Sequence, residues 1–266
     1  MQPGIYKGMS NRDYHAGPGL SKSGMDRLAI SPEHYQSYLK EEREATKALR
    51  VGSALHKLAL EPDTFSAEFA VAPDVDRRTK DGKAEYAAFE IKSAGKTILS
   101  ADEYADAIAM ADSIRRRKLS YSAISAPGDA EISLFWKDAS LGTLCKCRPD
   151  YLRKDNYIID LKTTEDARPE HFARSAESYR YYVQAAFYMQ GVEAVTGETV
   201  RDFIFVAVEK KPPYAVSVCF ADEEMIQAGN EEVRRCLTLY EECRLTGTWP
   251  GLDEMPIRLS RPRWAV

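Results

Sequence analysis

Apolar positions along the first half of the chain follow a helical period. Leu49, Leu55, Leu58 and Ala59 recur among good helix formers over 47–61, and Pro62 ends the run, which predicts a helix there. Ser21 offers a cap for a helix through Ile30. Ser31-Pro32 starts another, with Ser31 supplying the cap oxygen and Pro32 the preset φ of the first turn, leading into Tyr35 and Leu39. Further helices are predicted over 82–93 and from a Ser100/Glu103 capping box through Ile108 and Ile114 to the basic run 115–118, whose cations suit a helix C-terminus. The first twenty residues are rich in Gly and Tyr, lack a period and read as an ordered arm; a short strand is expected at 69–72.

Past residue 125 the period shortens to two. Strands are predicted over 130–137, 143–152 and 157–163, the first two joined by the turn-rich 138–142, so that the three form a central meander. A short helix at 169–176, a longer one at 181–195 ending near Gly197, strands at 203–208 and 216–220 and a long helix at 222–244 follow; the tail 249–266 has little period. The order implies an α/β (α+β) fold with a central sheet flanked by helices. A helical N-terminal part (1–125), a sheet core (126–221) and a C-terminal helix and tail (222–266) are expected to form one domain over 1–266, and 44% hydrophobic residues suffice for its core.

No stretch approaches the roughly 20 apolar residues that span a bilayer, and Met1-Gln2-Pro3-Gly4 does not begin a signal peptide, so a soluble cytoplasmic protein without membrane partners is expected. Five cysteines without a CxxC read as reduced thiols, and no cysteine precedes Cys145. The formal net charge of −4 runs against the broad basic footprint of a nonspecific nucleic-acid binder. A nucleic acid would need local cations, or divalent ions held by carboxylates, which reverse the local charge. The run 115–118 and Arg258, Arg261 and Arg263 are as well explained by solvated helix ends as by phosphate contacts, and Tyr179, Tyr181, Tyr182 and Tyr188 are mostly expected to pack, as are Trp249 and Trp264.

The chemistry centres on Arg148-Pro149-Asp150, followed by Asp160-Leu161-Lys162 on a predicted strand. Residues two apart on a strand share a face, so Asp160 and Lys162 point one way and Leu161 into the opposite apolar layer. Asp150 on a neighbouring strand adds a second carboxylate, the Leu161 carbonyl a third oxygen, and Glu131 an outer or second-metal carboxylate; such hard oxygen donors suit Mg²⁺ or Mn²⁺. Lys162 would then hold the attacking water or the scissile phosphate. Taken alone, an Asp-x-Lys strand is most often an ordinary exposed pair. Gln184 and Tyr188 lie four apart on one helical face, and His56, an imidazole on a helix, is a further candidate metal ligand, although each also has a plain structural reading.

In order, Gly52-Ser53-Ala54-Leu55-His56, Arg148-Pro149-Asp150, Asp160-Leu161-Lys162 and Gln184-Ala-Ala-Phe-Tyr188 resemble the GxxxH, PD, DxK and QxxxY motifs of the RecB-type branch of PD-(D/E)xK nucleases. The wider chain resembles the catalytic domain of the RecE family (exonuclease VIII), through Ser10-Asn11-Arg12-Asp13-Tyr14-His15, Gly17-Pro18-Gly19-Leu20-Ser21-Lys22-Ser23, Cys145-Lys146-Cys147, Tyr179-Arg180-Tyr181 and Pro262-Arg263-Trp264. The resemblance implies a restriction-endonuclease-like core with a mixed sheet. It implies metal ligation by His56, Asp150, Asp160 and the Leu161 carbonyl, catalysis by Lys162, and DNA positioning by Gln184 and Tyr188. It further implies processive 5′→3′ digestion of duplex DNA ends with Mg²⁺, a ring-shaped homo-oligomer (a tetramer) and a RecT-like annealing partner. Some relatives of this fold hold an iron–sulfur cluster on an early cysteine and a late triplet, a pattern this chain lacks, so no cluster is expected. A structure-specific or helicase-associated endonuclease and a noncatalytic DNA-end-binding module remain alternatives, and the lack of a G-x-x-x-x-G-K-[ST] loop argues against a motor.

Overall fold

The computed structural model describes residues 1–41, 46–252 and 258–261. Arg263 and Trp264 lie outside them. The arm without a period contains a short strand, β1 (Gly4–Tyr6), and a six-residue helix, α1 (Asn11–Ala16). Capping oxygens then set the starts of α2 (Lys22–Ile30) and α3 (Pro32–Lys40): Ser21 accepts the Gly24 N–H and Ser31 accepts that of His34, with Pro32 in the first turn. Helix α4 (Lys47–Leu60) stops before Pro62, and a 3₁₀ turn leads to α5 (Phe65–Glu68). Strands β2 (Phe69–Val71) and β3 (Thr97–Leu99) pair in parallel around α6 (Lys80–Lys92).

The Ser100/Glu103 capping box opens α7 (Ala101–Arg116). The basic run does not simply end this helix. Arg117 is extended, and a further helix that the sequence reading did not contain, α8 (Lys118–Ser125), turns back with Ser120 donating to the Ile114 and Arg117 carbonyls. Its buried residues include only Ser120 and Ala123, too little apolar pattern to announce a helix.

The meander is also more elaborate than its sequence period suggests. The two long strands break into β4 (Gly128–Ala130) and β5 (Ser133–Lys137), and β6 (Leu144–Cys147) and β7 (Tyr151–Arg153). Ala130 faces Tyr151 and Leu134 faces Cys147, so one register runs through both ladders: this is a single long hairpin, bent at Glu131 and Asp150. On one side of the bend β5 and β6 join β1 in a three-stranded sheet; on the other β4 and β7 enter a five-stranded sheet. The bend has two local causes. Pro149 has no N–H to donate, and Glu131 takes a left-handed φ of 49°.

Strand β8 (Tyr157–Thr164) follows, then α9 (Pro169–Ser178), α10 (Tyr181–Thr196), β9 (Asp202–Glu209), β10 (Val216–Phe220) and α11 (Glu223–Thr246). The large sheet runs β10-β9-β8-β7-β4, with β8 and β9 parallel and the other neighbours antiparallel. Alternation then builds two cores. Ile158, Phe203, Phe205 and Ala207 meet α2, α10 and α11 on one face, while Ile159, Leu161, Ile204, Val206 and Val208 meet α4, α7 and α8 on the other. Helix α10 is apolar nearly all round because it lies between α11 and the small sheet. Gly229 permits the first contact, since a Cβ there would lie 2.2 Å from the Tyr182 carbonyl oxygen, and Gly191 sits against the Trp136 ring. Trp249 stacks on Tyr35 at 5.6 Å.

The arm is fastened by two cations of β6 and its exit. Lys146 Nζ donates to the Tyr14, His15 and Gly17 carbonyls, and Arg148 reaches Met9 O at 2.7 Å and Ser133 Oγ while lying 4.6 Å from the Tyr14 ring centroid. Leu20 extends the small sheet by exchanging backbone bonds with Leu144 and Lys146. All five cysteines are free thiols, four of them buried.

Candidate active site

Asp160 and Lys162 emerge from β8 on the α10 face, and Leu161 points into the α4/α7 core. The Asp160 carboxylate is 1% exposed; its Oδ1 accepts from the Gln184 amide and its Oδ2 stands 2.5 Å from Lys162 Nζ. The Oδ2 contact is an ion pair without hydrogen-bond alignment, so a buried lone pair remains uncommitted. Burial pushes the Asp160 pKa up to about 6, an effect that Lys162 opposes and Asp150 reinforces. Burial works against the Lys162 ammonium too, but Asp160 and Asp150 outweigh it and raise its pKa.

The bend in the long hairpin delivers the other acids. Glu131 N–H donates to the Asp150 carbonyl across the ladder at 2.9 Å, so the two side chains leave opposite strands at the same level. Asp150 Oδ2 accepts the Leu161 N–H at 2.7 Å, tying the bend to β8. From α4, His56 reaches over the sheet end: Nε2 lies 3.0 Å from the Leu161 carbonyl, and Nδ1 3.4 Å from Asp150 and 3.6 Å from Glu131. Burial alone would discharge this ring. Asp150, and after it Glu131, hold its pKa well above the usual histidine range, so both nitrogens face acceptors as donors. Burial would raise the Asp150 pKa, but His56, Lys162 and the Leu161 N–H together lower it.

The donor set suits a divalent cation. His56, Glu131 and Asp150 each offer a ligand atom, all within 4.8 Å of one another, and the Leu161 carbonyl touches the same imidazole. Three carboxylates, Glu131, Asp150 and Asp160, face two side-chain cations, His56 and Lys162. Exchange of the His56 ring proton for a divalent ion would balance that charge, and oxygen-rich ligation with one imidazole fits Mg²⁺ or Mn²⁺.

Over residues 21–255 the chain matches a family model described as a PDDEXK-like domain of unknown function, DUF3799. The chain belongs to this family. Asp150, Asp160 and Lys162 all lie within the matched span of this DUF3799 domain. A solved structure described as a presumed exonuclease from Eubacterium rectale superposes with a TM-score of 0.60 at 15% identity, covering 95% of this chain and 97% of the other. At that identity the likeness shows the fold, a restriction-endonuclease-like core with its mixed sheet. A second structure, SSO0001, covers 79% of this chain and 81% of its own at 12% identity and a TM-score of 0.32, too low to support an argument. No curated protein matches the chain.

Among the residues singled out from sequence, His56, Asp150, Asp160, Leu161, Lys162 and Gln184 come together in the DUF3799 domain. Glu131, read as an outer or second-metal carboxylate, stands level with Asp150 and groups with it and His56. Gln184 is buried against Asp160 and so orients that carboxylate. Tyr188 is further off: it packs edge-on against Phe203 and lines a cleft of about 590 Å³ with Tyr14, Lys22 and Arg148. Tyr181, expected from sequence to pack, stacks on Phe205, and its ring also lies 4.7 Å from Lys162 Nζ, a contact the sequence reading did not name. Its place directly before the Gln184 turn of α10 was the available clue.

The backbone at Glu131 yields a prediction. A left-handed residue bearing a Cβ costs roughly 1–2 kcal/mol, which glycine avoids. Glu131→Gly should therefore exceed Glu131→Ala in unfolding free energy by about 1 kcal/mol in denaturant titrations. Both variants should bind divalent cation more weakly than the parent by calorimetry. A Glu131→Ala variant more stable than Glu131→Gly by about 0.4–1 kcal/mol would show that the left-handed backbone carries no strain.

Proposed function

We propose that this chain is a divalent-cation-dependent exodeoxyribonuclease, a single nuclease domain that uses Mg²⁺, replaceable by Mn²⁺, to hydrolyse phosphodiester bonds from the 5′ ends of duplex DNA toward the 3′ side. Its product would be a 3′ single strand for recombination by annealing. The observation that carries this reading is the juxtaposition of Asp160 and Lys162 on one face of β8 with His56, Glu131 and Asp150 at the bend.

His56, Glu131, Asp150, Asp160 and the Leu161 carbonyl are the residues that would hold the ion. Bound there, it supplies a water of lowered pKa and neutralises charge on phosphate oxygens. Lys162 orients the water or a phosphate oxygen, Gln184 fixes the Asp160 carboxylate, and Tyr181 fixes the Lys162 ammonium. Membership of a PDDEXK-like family and the description of the Eubacterium rectale structure support nuclease chemistry on DNA. The 5′→3′ polarity, the ring-shaped homo-oligomer and the RecT-like partner come from the RecE resemblance. No helix among the described residues is long and apolar enough to cross a membrane.

Linear duplexes labelled at the 5′ or the 3′ end, and closed circular duplex, each incubated with Mg²⁺ or with EDTA, test the reading. The expected outcome is Mg²⁺-dependent release of the 5′ label first, with circles intact. Cut circles would make the domain an endonuclease, and inert DNA under all conditions would make it a noncatalytic end-binding module.

A further inference from the structure

Beside Lys162 an aromatic column climbs from the core to the surface. Phe205, Tyr181 and Tyr179 stack in sequence, with centroids 5.8 Å apart at both steps and ring planes within 26° and 24° of parallel. Its lower rings belong to the core. The uppermost, Tyr179, is 63% exposed. One face of its ring rests on Tyr181, and more than half of the residue's surface remains exposed.

The corner that presents Tyr179 is built to hold still. Tyr179 closes α9, with its N–H bonded to the Ser175 carbonyl, and its own carbonyl accepts from Lys22 Nζ at 2.7 Å. The next residue, Arg180, takes a left-handed φ of 54°, a conformation that a residue bearing a Cβ seldom adopts. Its guanidinium is locked to Glu232 and lies 3.6 Å from Asp26. A backbone pinned from both sides, with strain spent in the adjoining residue, is an expensive way to expose a tyrosine. Surface clefts open on either side of it, one lined by Lys22 and Arg180, the other by Thr163, Arg174 and Lys210.

We infer that Tyr179 is a substrate-positioning residue: its exposed ring stacks on a nucleobase of the strand being cut, one ring removed from the lysine that addresses the scissile phosphate. The inference rests on the nuclease reading above and adds to it a subsite for an unpaired base. Every base has a π-face, so such a contact binds without sequence preference. It also explains why the ring is held rather than free, because a prefixed platform spends no ordering entropy on each nucleotide. Lys22, lying 5.8 Å from the Tyr181 ring centroid and bonded to the Tyr179 carbonyl, ties the platform to the same column that supports Lys162.

The test compares Tyr179→Ala, Tyr179→Phe and Tyr179→Trp with the parent, on normal linear duplex and on duplex carrying an abasic residue at successive positions from the cut end. The expected result is a KM about tenfold higher for Tyr179→Ala, kcat nearly unchanged, and parental values for the Phe and Trp variants. One abasic position should penalise the parent by a similar factor and cost Tyr179→Ala nothing more. Equal abasic penalties in the parent and Tyr179→Ala would overturn the inference.

A binding readout separates this result from the fate of the nuclease reading. Single-stranded oligonucleotides carrying 2-aminopurine at successive positions are titrated with protein in EDTA to saturation, judged by anisotropy. Quenching at one position that Tyr179→Ala abolishes and Tyr179→Trp keeps sustains the platform even if no DNA is ever cut. Identical quenching by all four proteins, or none by the parent, removes it.

Discussion

Lys162→Ala is expected to give a folded protein that still binds duplex DNA and cuts it about a thousandfold more slowly. The ammonium is the cationic partner of a carboxylate that is 1% exposed, so the substitution acts twice. It removes the group that orients the water or phosphate, and it leaves Asp160 with burial and the Asp150 charge both favouring its protonated form. Divalent-cation affinity should fall along with kcat. Single-turnover cleavage of end-labelled duplex, with circular dichroism as the check on folding, decides the matter; cleavage at the parental rate would take Lys162 out of the mechanism.

Asp150→Asn should be as damaging for a different reason. The asparagine oxygen can still accept the Leu161 N–H, so the link between the bend and β8 survives, but the charge that holds the His56 ring protonated and that would face the cation is gone. The expected result is a loss of activity of at least about a hundredfold, taking about 3 kcal/mol, the low end of the cost of breaking a buried charged contact. Raising Mg²⁺ should not restore it, because the missing ligand affects the bound complex as well as its formation. A variant rescued fully by tenfold more Mg²⁺ would show that Asp150 only tunes affinity.

Features encoded within a few residues were legible in the sequence. The caps at Ser21 and Ser31, the Ser100/Glu103 box and the alternation through Asp160-Leu161-Lys162 each rest on contacts between near neighbours, and the structure shows them where the pattern put them. What could not be read depends on distant partners. Nothing in the 130–137 pattern says that Glu131 will turn left-handed, because the compensating bonds come from Asp150 on the opposite strand. The division of one hairpin between two sheets likewise depends on β1 and Leu20, more than a hundred residues earlier in the chain. At the candidate site the same rule holds: Gln184 and Tyr188 share a helical face, yet only the packing of α10 against β8 decides that Gln184 meets Asp160 and Tyr188 meets Phe203.

The bent hairpin also governs how such a site can vary in descent. Asp160 and Lys162 must stay two residues apart, because a change of one would send Lys162 into the α4/α7 core. Glu131 and Asp150 are joined by no such linear rule. They face each other across a ladder, so the β5–β6 hairpin between them can lengthen by matched pairs, or at its turn, without moving either carboxylate. A loss or gain of one residue in a single strand, by contrast, would reverse every side chain between the change and the bend. Related chains should thus keep the two strands between bend and turn matched in length while the interval as a whole drifts, and a search pattern of fixed spacing would overlook many of them.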